Sequence, residues 1–306
     1  MSEELKPYIY KYVSHSNVDN VFADAEKATL KFSLPSEFND PYELFLTIDF
    51  NRDPEELAFY FDLIGENLQH PTTCFSISPI VVPMWAHYTQ NHSGFIIEFS
   101  EKKLKDLFPE ARFGSVEYSD TPNRDLSDLL MRAHQIKKFR YNLWLMSAVF
   151  SSAYFTKTLC WSYEQERRMI VDKSDTRAAD DLMLLDVPRE AITSIICGAR
   201  ATGETKAKLK EIARDIECRY LELRIGRSSA IPFMVDQSGH PFGFDEGQIH
   251  AIEYFCEECQ EPTAKGVLRC SWCDIDDDVR QRAAMSNSFR ILDHYGLLES
   301  YLKSAP

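Results

Sequence analysis

Positive charge is scarce in this chain, and several familiar motifs are missing. Thirty-four Lys and Arg stand against 48 Asp and Glu, a net charge of −14. Such a balance disfavours non-specific binding to nucleic acid or anionic membranes. No stretch reads G-x-G-x-x-G or G-K-S/T, which excludes the common glycine-rich phosphate cradles. No PD-(D/E)xK or H-N-H spacing stands out, and there are no internal repeats or low-complexity segments. The most apolar run, Leu143–Phe155 (LWLMSAVFSSAYF), is too short to span a bilayer and holds three serines. It is expected to be a buried helix. The opening residues MSEELKPYIYKY show no basic region followed by an apolar stretch, so no signal peptide and a cytoplasmic location are expected.

Cysteine is what the chain does have, eight in all. Cys256, Cys259, Cys270 and Cys273 read C-x2-C-x10-C-x2-C within Phe255–Asp274. Each C-x-x-C turn sets two thiolates on one side, and two such turns close a tetrahedral sulfur site around Zn²⁺. The competing pairing into two disulfides requires an oxidising compartment, of which the sequence gives no sign. Four thiolates leave no open position for water, so this zinc is expected to be structural. Pro262 to Gly266, between the knuckles, read as the loop of a small β-hairpin. Residues 231–306 carry six Lys/Arg and thirteen Asp/Glu, net −7. Phosphate binding wants a clustered positive face. The ribbon is therefore expected to staple the fold, dock a protein partner or self-associate, rather than bind nucleic acid. Cys74, Cys160, Cys197 and Cys218 share no spacing and read as scattered core thiols.

Hydrophobic periodicity predicts an α+β protein: a mixed, mostly antiparallel sheet with flanking helices over residues 1–230, then a small zinc ribbon and helical tail over 231–306. Strands are expected at Pro7–Val13, Thr29–Leu34, Thr73–Ser78, Gly94–Phe99, Gly114–Tyr118, Glu166–Asp172, Asp181–Asp186, Ile192–Cys197 and Arg219–Leu223, the last closing the main domain. Helices are expected around Val18–Lys27, at Asp53–Gln69 behind an Asp-Pro start, at Glu101–Phe108, along Arg124–Phe155 with a bend, and at Thr205–Glu217. The Gly-, Pro- and Ser-bearing stretch Arg227–Gln248 reads as a linker. Asp276–Lys303 is expected to form one or two helices packing back on the ribbon.

Four boxes are richer in polar and aromatic residues than a core requires. In Phe38–Glu43 (FNDPYE), Asn39 and Asp40 precede a proline and favour an Asx-type turn, which by itself accounts for them. Met84–His92 (MWAHYTQNH) offers Trp85, His87, Tyr88 and His92. The two histidines are five apart and do not share a helix face, which weakens a metal reading. Each is more often a hydrogen-bonded structural residue, yet the box suits a ligand-binding rim. In Lys157–Arg168 (KTLCWSYEQERR), Glu164 and Glu166 alternate into a strand, so both can project to one face. Two such carboxylates repel, and one then gains a raised pKa suited to acid–base work. Alternatively they pair with Arg167, Arg168 or Lys157 in an ordinary surface network. The fourth box, Ile195–Gly198 (IICG), ends a strand on a glycine that allows close backbone approach.

In this order, Tyr10–Tyr12 (YKY), LKFSLPSEFNDPYE, MWAHYTQNHSGFIIEF, KTLCWSYEQERRMIV and ITSIICG, the boxes resemble a bacterial family of unknown function, number 2971, over about residues 8–200. The resemblance brings no established activity, and the acidic cysteine-bearing tail lies outside it. The layout is also similar to that of ADP-ribosyltransferase-like domains. This implies an early strand at Tyr10, Lys11 and Tyr12, a second at Leu30–Ser33, and a catalytic glutamate, Glu166, opening a late one. It implies NAD as the ligand, Glu166 stabilising an oxocarbenium-like state with Glu164, His87 and Tyr88 as further catalytic residues, and Tyr88 or Trp161 stacking nicotinamide. His87 or Asn39 would hold ribose or phosphate oxygens, with Tyr10, Lys11, Asp40, Trp85, His92 and Arg168 around them. The first strand departs from that pattern, carrying Tyr-Lys-Tyr where an Arg-x-Thr or His-x-Thr motif belongs.

Three functions follow as expectations. The first is an NAD-cleaving or ADP-ribosylating effector, of the kind used in conflict or phage defence. The second is a small-molecule or nucleotide sensor whose ribbon docks a partner, with Phe242, Phe244, Tyr254, Phe255 and Trp272 as interface anchors or as the ribbon's own core. The third is a nuclease holding Mg²⁺ on Asp40, Glu43, Glu164 and Glu166, for which the acidic surface is unfavourable.

Overall fold

The computed structural model describes residues 5–42, 48–64 and 69–304. Glu43, and part of the helix expected up to Gln69, lie outside the described residues. In chain order the strands are β1 (Tyr8–Val13), β2 (Lys27–Phe32), β3 (Thr72–Ser76), β4 (Phe95–Ser100), β5 (Arg112–Ser115), β6 (Glu117–Tyr118), β7 (Thr156–Lys157) and β8 (Glu166–Ile170). They continue as β9 (Arg177–Ala179), β10 (Leu182–Pro188), β11 (Ile192–Cys197), β12 (Arg219–Arg224), β13 (Phe233–Val235), β14 (Pro241–Asp245) and β15 (Gln248–Ala251). The helices are α1 (Val18–Val21), α2 (Pro54–Ile64), α3 (Val82–Tyr88), α4 (Glu101–Leu107), α5 (Arg124–Ile136), α6 (Phe139–Phe155), α7 (Gly203–Asp215), α8 (Asp277–Met285), α9 (Ser288–His294) and α10 (Leu298–Ser304). The class is α+β, as the periodicity predicts.

One ten-stranded sheet organises the molecule, in the order β15-β14-β13-β12-β11-β4-β1-β3-β8-β5. Its β11–β12 pair is parallel and bridged by α7; its other described pairs are antiparallel. The central strand β4 (FIIEFS) is buried along nearly its whole length, because side chains cover both faces. On one face Ile9, Phe75, Phe95, Ile97, Phe99 and Met169 meet the sheet β2-β10-β9 and α4, α7. The other face packs Tyr10, Tyr12, Trp85, Ile96, Ile196, Leu223 and Met234.

Several expectations are overturned. The helix around Val18–Lys27 is only the four residues of α1. The stretch read as a linker instead supplies β13 and β14, and β15 follows; all three extend the main sheet. Phe242 and Phe244 pack on the Tyr10–Trp85 cluster, so they belong to the main core. The tail expected as one or two helices is three, α8 to α10, and none of them buries a residue. The expected bend in Arg124–Phe155 is a break: α5 stops where Lys137 turns left-handed (φ 56°), and α6 restarts at Phe139. Gly198 does allow close approach, since a Cβ there would lie 2.2 Å from the His92 carbonyl oxygen.

The register joins β1 to β3 at the single pair Tyr10↔Ser76, whereas β1 pairs with β4 over six positions. Side chains of β1 take over where the ladder stops. Lys11 Nζ donates to the Cys74 carbonyl at 2.9 Å, and Tyr12 OH to the Ser78 carbonyl at 2.9 Å. These bonds satisfy carbonyls that an open ladder leaves without a partner.

Candidate functional site: a paired-carboxylate cavity and a four-cysteine cluster

A cavity of about 190 Å³ lies against this parting of β1 and β3. Tyr10, Lys11 and Tyr12 form one wall, and Asn39 caps it from the loop after β2. Met84 and Tyr88 enter from α3, and Lys157, Glu164 and Glu166 from the segment leading into β8. Boxes more than 150 residues apart in sequence therefore share one site.

Lys157 stands between the two carboxylates. Its ammonium donates to Glu164 Oε2 at 2.7 Å and to Glu166 Oε2 at 3.3 Å, and all three side chains are buried. Glu164 Oε1 accepts the Tyr88 phenol at 2.5 Å, and Asn39 bonds the same phenol. Glu166 Oε1 accepts Arg168 Nε at 2.7 Å, with Nη2 at 3.2 Å from Oε2. Arg168 is wholly buried, donates to the Tyr154 carbonyl at 2.9 Å and lies over the Phe38 ring. The pairing expected as a surface network is thus real but buried. Arg167 is not in it; its guanidinium goes to Glu101, at 2.6 and 3.0 Å.

These surroundings separate the two carboxyls. Burial pushes Glu164 up, and the Lys157 charge only partly offsets it. Burial pushes Glu166 up as well, but Arg168 and Lys157 outweigh it and hold the group at about 2. Burial and the Glu164 bond raise Tyr88. Burial lowers Lys11, and burial raises the Cys74 thiol well above its ordinary range. A pair of acids with pKa values driven apart is the arrangement that divides acid–base roles.

The other residues singled out from sequence sit around the cavity or away from it. Trp85 is fully buried, its indole donating to the Pro79 carbonyl at 2.8 Å. His87 is exposed and bonds Tyr163 OH at 3.2 Å. Asp40 is buried and makes the Asx turn, accepting from the Tyr42 amide at 2.9 Å. Trp161 lies under the Lys157 ammonium, 4.7 Å from its ring centre. His92 stacks on Trp85, away from the carboxylates. Cys74 and Ser76 line the cavity and went unnoticed as site residues, because nothing local marks them. Glu98 was also missed. It is buried in β4 and accepts from Tyr10 OH at 3.0 Å, from Thr193 at 2.7 Å and from Ser194. A polar residue inside the run FIIEF was the available signal.

A larger groove of about 990 Å³ runs between β5 and the helices α5 and α6. Its wholly buried charge, Arg167, is paired with Glu101.

At the other end, the ligand atoms of Cys256, Cys259, Cys270 and Cys273 all lie within 4.8 Å of one another, a grouping that could hold a metal ion and is consistent with a zinc ribbon. The knuckles are shaped by backbone bonds: the Gln260 amide donates to the Cys256 carbonyl at 2.8 Å, and the Asp274 amide to that of Cys270 at 3.0 Å. The loop expected as a hairpin between them carries no strand, only a turn in which the Val267 amide donates to the Ala264 carbonyl at 3.1 Å; an isolated bridge, Phe255↔Pro262, flanks the first knuckle. Glu261 ties the cluster to the sheet, its carboxylate accepting the amides of Arg227 and Ser228 at 2.8 and 2.6 Å. Among the described residues no helix is long and apolar enough to cross a membrane.

No curated protein and no solved structure matches the chain. A family model described as "Protein of unknown function (DUF2971)" matches residues 84–169, a narrower span than the boxes suggest, running from Met84 and Tyr88 to Lys157, Glu164 and Glu166. Over those residues the chain is similar to the DUF2971 family; the match takes in the α3 wall and the Lys157–Glu166 wall of the cavity, while Tyr10–Tyr12, Asn39, Cys74 and Ser76 lie outside it.

Proposed function

We propose that the cavity is the site of an NAD-cleaving or ADP-ribosyl-transferring enzyme, with Glu164 and Glu166 in separate roles. The observation that carries this reading is the buried Glu164–Lys157–Glu166 group, whose two carboxyls are pushed in opposite directions. In cleavage of the nicotinamide–ribose bond, the C1′–N bond breaks and its electron pair leaves with neutral nicotinamide. Ionised Glu166 faces the positive charge that develops on the ribose. Glu164, whose pKa burial raises and whose basicity is thereby increased, accepts in its ionised form the proton of the attacking hydroxyl as that oxygen bonds C1′. The cavity is smaller than the roughly 300–1,000 Å³ that encloses a drug-sized ligand, so it takes only the reacting end of a dinucleotide. The four-cysteine cluster we read as a structural zinc site, since four thiolates leave no catalytic position. A metal-dependent nuclease fits less well, because the Lys157 ammonium occupies the place between the carboxylates that Mg²⁺ would need.

The test is incubation of the protein with NAD⁺, following nicotinamide by chromatography, with Glu164→Gln beside it. Glu166→Ala is the less informative variant, because it strands a buried Arg168. Release that falls about 10²-fold or more in Glu164→Gln, with the fold intact, supports the assignment. Absence of release, even with lysate supplying an acceptor, would sink it and leave the cavity to a non-catalytic sensor that binds a small polar ligand.

A further inference from the structure

A third cavity, of about 570 Å³, opens beyond the carboxyl ends of β11 and β12, where Ala199 and Arg200 leave one strand and Arg224 and Ile225 the other. Open α/β crossovers hold ligands at this position relative to their parallel strands. Trp85 separates it from the carboxylate site: its ring meets Tyr12 edge-on at 5.5 Å and stacks on His92 at 6.4 Å.

Its described lining holds two arginines and a histidine but no carboxylate. Arg200 forms no ion pair among the described residues. Arg224 reaches Glu222 only at 3.5 Å, and Glu222 is already shared with Lys206 and Lys210. The buried Nδ1 of His92 has no hydrogen-bond partner. Three successive non-glycine residues, Gln90, Asn91 and His92, hold φ of 50, 56 and 68° and bring this ring to the cavity. Left-handed backbone of that kind persists only where the surroundings enforce it, and it concentrates at ligand clamps. Here the Arg200 amide donates to the His92 carbonyl at 2.9 Å, across the gap that Gly198 leaves open. The strained turn is thereby locked to the strand end that carries Arg200.

We propose that this cavity binds the phosphoryl group of a small soluble phosphorylated molecule, with Arg200 and Arg224 as its charged donors and His92 beside them. Guanidinium groups match phosphate oxygens in pairs. In a chain of net charge −14, a concave site lined by three basic side chains and no acid is a local exception.

The experiment titrates the full chain with inorganic phosphate and with pyrophosphate, by calorimetry and by NMR of the histidine side chains. Saturable binding is expected, with the His92 pKa, held down by burial and by Arg200, rising about one unit as the anion binds. Arg200→Gln is expected to weaken binding about 10-fold or more. Lys208→Gln, on the outer side of α7, is expected to leave binding unchanged. Phosphate that moves neither heat nor His92 overturns the proposal, as does equal weakening by Arg200→Gln and Lys208→Gln. A six-nucleotide single strand without terminal phosphate that binds as tightly as pyrophosphate would also overturn it, because a strand rather than a small phosphorylated molecule would then be the ligand.

Discussion

Glu166 is where the chemistry of single residues bears most on stability. Its carboxylate accepts from Arg168 on one side and from Lys157 on the other. Removing one member of a buried pair leaves an uncompensated charge, and Glu166→Ala should cost about 3–5 kcal/mol at neutral pH. Because folding lowers this group from 4.5 to about 2, its contribution is complete above pH of about 4.5 and is lost as pH falls toward 2. Urea denaturation at a series of pH values should therefore show parent and variant converging in acid. A constant gap between them would assign the cost to packing instead. Residues of this kind were only half legible in the sequence. The E-x-E alternation announced two carboxylates on one face, and Lys157 was visible as a local partner. Cys74, Ser76 and Glu98 were not, because strands far apart in the chain bring them in, and no spacing rule reports such neighbours.

Elements with a strong local pattern were read to within a residue or two. Ile192–Cys197 is a β-branched run, and Asp53-Pro54 announces the helix that Asp53 caps, its carboxylate accepting the Glu55 amide at 2.8 Å. Arg227–Gln248 was misread, because Gly, Pro and Ser outweigh the short alternation in Pro241–Asp245. That pattern is a strand of five residues whose partners, not its composition, make it fold. The cysteine knuckles are the opposite case, a fixed spacing with one geometric solution. Cys270→Ser should abolish stoichiometric zinc and raise amide exchange across residues 255–274, because ribbon folding is coupled to the metal. Unchanged zinc content, measured by atomic absorption on the purified variant, would contradict the structural-zinc reading.

At the scale of the whole molecule, the sheet crosses the boundary expected near residue 230. Met234 is fully buried beside Leu223, and β13 to β15 form one end of the main sheet. A chain ended after residue 230 should lose solubility or melt far below the parent, since it uncovers that core. A chain ended after Ile252 keeps every strand and should melt within a few degrees of it. Equal behaviour of the two would restore the two-domain division. The fold class was legible because it follows from strand count and period; the division was not, because it depends on which edge accepts the later strands.

The lone Tyr10↔Ser76 pair has a mechanical meaning as well. Seven strands lie on one side of it and three on the other, so the continuous sheet is two leaves joined at a seam. Lys11 and Tyr12 act as its pins, and the carboxylate cavity lies in its gutter. Glu164, Lys157 and Glu166 all stand on the smaller leaf or the segment leading into it, so the carboxylate group is carried on one side of that seam and the Tyr10–Tyr12 wall on the other.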